Sequence, residues 1–132
     1  MAPPLLSNRS PGAQVALAIV VPALFGLGTG FVLGVSEIGY LVLSLLGIGG
    51  GFFAGLEHRG AGEGFLRGVT GGLLFGTFIL LGHHVSGSEP KADLPHPEGM
   101  LVVITTVLGA LLGALGGWMR GRRERRGAAP AT

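Results

Sequence analysis

The sequence predicts an all-α fold: an integral membrane four-helix bundle with N-in/C-in topology, packed along glycine ridges. Three observations carry that prediction. Only 12% of the 132 residues are charged and 48% are hydrophobic, whereas an ordinary soluble domain is about 25% charged. The apolar residues gather into four runs, each near the length a helix needs to cross roughly 30 Å of hydrocarbon. Glycine, at 27 residues, is far above its usual ~7% and lies mostly within those runs. It does not fall at every third position, which excludes collagen, and a disordered glycine-rich linker would lack the apolar runs.

Residues 1–12 form a polar cytoplasmic arm whose one charge is Arg9. The transmembrane domain occupies 13–119. Its first span, 13–35 (AQVALAIVVPALFGLGTGFVLGV), is free of charge. Pro22 falls in its middle and is expected to kink it, because proline removes a backbone donor and its ring crowds the preceding turn. A secretory signal peptide is the alternative for this segment. The run is longer than an ordinary signal core and Ala16-Leu17-Ala18 comes too early for cleavage, so an uncleaved helix is preferred. Ser36 and Glu37 interrupt briefly before the second span, 38–56, and so short a break implies a tight hairpin. After the polar stretch EHRGAGE, the third span covers 65–81. Arg67 stands about one turn inside it, where its long stem can carry the guanidinium to the interface. The outer loop, 83–97, holds three prolines and mixed charge. The fourth span, 100–119, ends beside Trp118 and runs into a basic cytoplasmic tail, 120–132.

Charge placement supports the four-span scheme. With the amino terminus inside, cytoplasmic segments collect Arg9, Arg59, Arg67, Arg120, Arg122, Arg123, Arg125 and Arg126, and the outer segments hold only Lys91. That asymmetry follows the positive-inside rule. Three spans would place Arg9 and the arginine tail on opposite sides. The same clustering gives the isoelectric point near 9.9 a membrane explanation. The tail is expected to touch anionic headgroups, and it lacks interleaved aromatics to stack bases, so no nucleic-acid partner is expected.

Glycine recurs at four-residue spacing in every span: Gly26, Gly30 and Gly34; Gly47, Gly51 and Gly55; Gly60, Gly64, Gly68, Gly72 and Gly76; Gly109, Gly113, Gly117 and Gly121. Four residues advance a helix by about 400°, so each set forms a groove into which another backbone can press. Such grooves serve one bundle or a homo-oligomer equally well. The stretch Gly28-Thr29-Gly30-Phe31-Val32-Leu33-Gly34 is similar to Gly76-Thr77-Phe78-Ile79-Leu80-Leu81-Gly82, which is compatible with two hairpins related as a parallel repeat.

Candidate chemistry is sparse. The chain has no cysteine, which excludes disulfides, cysteine-ligated zinc and thiol catalysis. No catalytic, cofactor-binding or metal site is assigned, and an enzyme is not expected, since no nucleophile–base pair or carboxylate lies at depth. His83 and His84 have His96, Glu89, Asp93 and Glu98 near them in sequence, but adjacent helical side chains diverge by about 100° and cannot simply share an ion. Gly60-Ala61-Gly62-Glu63-Gly64 lacks the lysine and the preceding strand of a phosphate loop. Thr29, Ser44, Thr70, Thr77, Thr105 and Thr106 are read as bonding helix carbonyls or neighbouring helices.

The stretch GGGFFAGLEHRGAGEGFLRGVTGGLLFG, residues 49–76, resembles the central hairpin of small four-span glycine-rich prokaryotic membrane proteins that have no assigned activity. The resemblance implies a four-span fold and carries over no functional residue. The expected role is that of a non-enzymatic protein of the cell membrane. It would act through helix–helix association, as a homo-oligomer or as an accessory subunit to a membrane-protein partner. The alternative is a small oligomeric pore or transporter for a small solute or ion, with Thr29, Thr77, Thr105 or Thr106 facing the path.

Overall fold

The computed structural model describes residues 4–128, and the regular structure in them is helical. Four helices dominate: α1 (Pro11–Leu33), α2 (Glu37–Gly55), α3 (Ala61–Ser86) and α4 (Gly99–Ala128). Each is long and apolar enough to cross a membrane.

Local chemistry sets the ends. Ser10 caps α1 by accepting from the Ala13 N–H at 3.2 Å, and Pro11 takes the first helical position, where no N–H is needed. Ser36 caps α2 by accepting from the Gly39 N–H at 3.0 Å, with Glu37 favourably placed in the first turn. Gly87, at φ 67°, stops α3 in the left-handed conformation that glycine adopts without strain. The helices outrun the apolar windows. α3 extends beyond 65–81 in both directions, so His83 and His84 are helical, and α4 continues through the arginine-rich tail. Hydropathy marks where hydrocarbon could lie, whereas Ala, Glu and Arg are good helix formers and the Arg120–Glu124 pair (3.0 Å, four residues apart) supports the added turns.

Pro22 does not break α1. The helix widens into a π turn over Ala16–Val20, in which the Val21 N–H donates to the Ala16 carbonyl. One extra residue in the turn relieves the crowding that the proline ring would impose on the preceding carbonyl.

α3 lies at the centre, against α1 on one side and α4 on the other, and α2 packs chiefly on α4. The interfaces are of two kinds. Towards the end that carries the 83–97 segment, a side-chain core forms from Leu33, Tyr40, Phe75, Ile79 and Leu101, joined by Ala92 and Leu94. That segment is therefore a cap on the core rather than a wholly solvated loop. Towards the other end the helices meet backbone to backbone. A Cβ at Gly64 would overlap the Gly113 carbonyl, and one at Gly68 the Gly109 carbonyl. In return, one at Gly117 would overlap the Gly60 carbonyl. Gly55 and Gly116 face α4 and α2 backbone in the same way, and Gly26 and Gly30 face α3. The two hairpins are packed unequally: α3 and α4 are in contact over much of their length, α1 and α2 over little.

Both ends of the described chain meet at one end of the bundle. The Leu6 N–H donates to the Glu57 carbonyl at 2.9 Å, and Arg59 pairs with Glu124 at 3.2 Å. The Arg120 Nη1–H donates to the Leu56 carbonyl at 2.8 Å, closing the C-terminus of α2. At the opposite end the Lys91 N–H donates to the Leu33 carbonyl at 2.7 Å.

Candidate functional site

The π turn of α1 leaves the Leu17 carbonyl short of a donor. In a regular helix Leu17 would receive the Val21 N–H, but that donor goes to Ala16, and the next residue, Pro22, has none. The missing bond comes from α3: the Arg67 Nη2–H donates to the Leu17 carbonyl at 2.7 Å. Sequence reading sends the Arg67 guanidinium out along its stem to the interface. In the fold it is turned inward against α1, and the residue is only 9% exposed.

Arg67 forms the boundary between two cavities. One, of about 240 Å³, lies between α1, α2 and α3, with Thr105 and Gly109 of α4 also on its border, and is lined by apolar groups that include Leu17, Val21, Phe25 and Phe75. Small residues create the room: Gly47, Gly50, Gly68, Gly71 and Gly72 all border it. The ring of Phe75 closes its far side, resting over Gly47 and 5.7 Å from the Phe25 ring. Val21, Leu46 and Gly50 border the cavity and are also exposed on the outer surface, so it opens sideways between α1 and α2. The second cavity, of about 550 Å³, lies at the chain-end side of Arg67 and has a mixed wall: Glu57, His58, Arg59 and Glu63 border it together with Leu5, Ala18 and Leu66.

Charges at that end are mostly paired. Arg9 Nε donates to Glu57 Oε2 at 3.1 Å, with side-chain exposures of 30% and 10%. His58 Nδ1 lies 3.7 Å from Glu63 Oε2. Burial, the largest influence, pushes the His58 pKa below its ordinary 6.5, with Arg67 adding to the depression and Glu63 and Glu57 opposing it. The Arg122 guanidinium stands 5.2 Å from the Trp118 ring centroid. Arg67 differs from these. No carboxylate among the described residues reaches it within ion-pair distance, and its Nε–H is buried without an acceptor.

The other residues singled out by sequence do not converge. Thr29 Oγ1 donates to the Phe25 carbonyl at 2.7 Å and Thr106 Oγ1 to the Val102 carbonyl at 2.6 Å. Thr105 Oγ1 donates to the Gly72 carbonyl across the α3–α4 contact at 2.8 Å, while Thr77 is exposed. His83 is buried, whereas His84 is exposed and pairs with Glu98 at 2.8 Å. Glu89, Asp93 and His96 are exposed, and no group of three or more potential ligands could hold a metal among the described residues. Gly60 to Gly64 forms only the entry to α3. The residue that sequence reading undervalued is Arg67. Its signal was the combination of a lone charge within an apolar span and a proline in another span, which together supply a donor and an orphaned acceptor.

The fold and site define an all-helical chain with four helices able to span a membrane and a buried arginine beside an apolar cavity. No protein-family model, curated protein or solved structure matches it.

Proposed function

We propose that this is a four-span protein of the cell membrane, with both chain ends cytoplasmic, that works by association rather than catalysis. It would be either a homo-oligomer or an accessory subunit of a membrane-protein partner. One observation carries the reading. Among the described residues, 26 large hydrophobic side chains are exposed and only eight hydrophobic residues are buried. Water would not tolerate that distribution, but hydrocarbon would. Spanning helices also satisfy their own backbone groups, as a bilayer requires.

Within that surface α2 is the natural association face. It is the least buried of the four helices, and it presents Ile38, Val42, Leu45, Leu46 and Phe53 outward. A Cβ at Gly49 would meet nothing within 4 Å, which leaves room for another helix to approach. The glycine contacts of α3 and α4 support an internal packing role for those ridges, where dispersion must replace the hydrophobic attraction that lipid abolishes. The arginines of the α4 extension suit a cytoplasmic leaflet with anionic headgroups. The resemblance of residues 49–76 to small four-span prokaryotic membrane proteins agrees with this assignment.

The test is the mass of the complex extracted from native membrane under mild detergent. A fixed copy number or a constant companion chain is expected. A lone chain whose purified form passes solutes or ions into liposomes would replace this reading with the small pore.

A further inference from the structure

Arg67 carries a buried charge that no carboxylate among the described residues meets at ion-pair distance; Glu57 attracts it only from further off. Arginine stays protonated in proteins, so burial cannot neutralise it. Of the nearby carboxylates, Glu57 is held by Arg9 at 3.1 Å, and Glu63 stands largely exposed beside His58. The Leu17 carbonyl satisfies one donor, and the Nε–H faces no acceptor. Removing a guanidinium from water is costly unless an anion joins it. The adjoining cavity has the opposite character. Its wall is mainly hydrocarbon and glycine, and the Thr105 hydroxyl on its border is already bonded to Gly72. At about 240 Å³ it exceeds the ~150 Å³ apolar cavity that holds benzene. The cavity on the other side of Arg67, with Glu57, His58, Arg59 and Glu63 on its border, leaves room for a hydrated head.

We propose that the cavity between α1, α2 and α3 binds a single-chain anionic amphiphile. Its head, a carboxylate or a phosphate monoester, pairs with Arg67; the first part of its aliphatic chain runs past Val21 and Phe25 towards Phe75, about 12 Å along α3, and the rest of a long chain leaves between α1 and α2. The sideways opening between α1 and α2 lets such a molecule enter from the surrounding bilayer. The geometry separates the two ends of the ligand: charge at Arg67, near the end of the bundle where Arg9 and Glu57 meet, and hydrocarbon deeper between the helices. The inference rests on the membrane reading but not on the oligomer or on any partner chain.

The experiment uses the full chain in mild detergent and a spin-labelled eighteen-carbon fatty acid, its methyl ester, a lysophosphatidic acid of the same chain length, and inorganic phosphate. The two anionic amphiphiles are expected to compete for one site per chain, with the ester about tenfold weaker or worse, as loss of a charge-assisted hydrogen bond implies. Arg67→Gln should abolish the preference for acid over ester, and Arg67→Lys should restore part of it. If Arg67→Gln does not fold, Gly50→Leu serves instead. Nothing lies within 4 Å of its Cβ position at the cavity mouth, so it should fold and still exclude the chain. Equal binding of acid and ester, inorganic phosphate displacing the fatty acid at similar concentration, or Gly50→Leu binding undiminished would each overturn the proposal. A chain that stayed monodisperse in water without detergent would refute the membrane reading, a separate outcome from any of these.

Discussion

Gly113 is the position where a small change should tell most about how the helices are held. It sits against two partners at once. Its own Cβ would overlap the Gly64 carbonyl and come within 3.0 Å of the Gly68 Cα, and its carbonyl stands where a Cβ at Gly55 would go. Backbone atoms supply those contacts, so no side chain can rotate aside. Gly113→Ala must therefore push α4 away from α3 until carbon and oxygen reach ordinary separation, a movement of roughly 1 Å. A gap of that size forfeits about a quarter to a half of the dispersion along the contact, and overpacking of this kind costs about 1–3 kcal/mol. Alanine offsets about 1 kcal/mol through its better helix propensity. The net expectation for Gly113→Ala is a loss of roughly 0–2 kcal/mol, and for Gly113→Leu a larger loss with membrane insertion intact. Gly28 is the control. It lies on exposed α1 surface with nothing within 4 Å of its Cβ position, so Gly28→Ala should be neutral or stabilising by up to about 1 kcal/mol. Thermal unfolding in one detergent, read by circular dichroism and by retention of the native size-exclusion peak, separates the two. A Gly113→Ala variant more stable than Gly28→Ala, or an unchanged midpoint for Gly113→Leu, would refute the steric argument.

Glu57→Ala removes the carboxylate between Arg9 and the region of Arg67, and should destabilise by roughly 1–3 kcal/mol. Arg9 is partly solvated and so recovers some of what a fully buried pair would lose; a chemical-denaturation midpoint equal to wild type would contradict this. His58 has a folded-state pKa below its unfolded value near 6.5. Its contribution is therefore whole above pH 6.5 and is lost as pH falls from there through the folded pKa. His58→Gln should flatten the stability profile in that window, and a wild-type profile rising towards acid there would reverse the sign. For topology, reporter tags at Ser88 and at the carboxyl terminus should fall on opposite faces of the membrane. Labelling of both from one side would defeat the four-span arrangement.

Much of the helical framework was legible without coordinates because it depends on local properties. Long charge-poor runs, and the short break at Ser36 and Glu37 that implies a tight hairpin, are each read within a few residues. The exact helix ends were not legible, since hydropathy reports the length of hydrocarbon contact and not the persistence of hydrogen bonding through Arg120 to Arg126. Glycine spacing was visible too, but spacing cannot choose a partner. That Gly64 lies on Gly113, while Gly49 and Gly50 face open space, follows from how four helices lean on one another.

Arg67 marks the division most sharply. The sequence by itself determined that Pro22 would deprive α1 of a backbone hydrogen bond, because that is a property of the proline ring. Only the tertiary structure decided who repairs it: a donor 50 positions further along the chain, drawn inward by an acceptor that no nearer residue satisfies. The reason is one of range. Backbone connectivity sets where a polar group is left unpaired, and packing sets which distant side chain can reach it before water does.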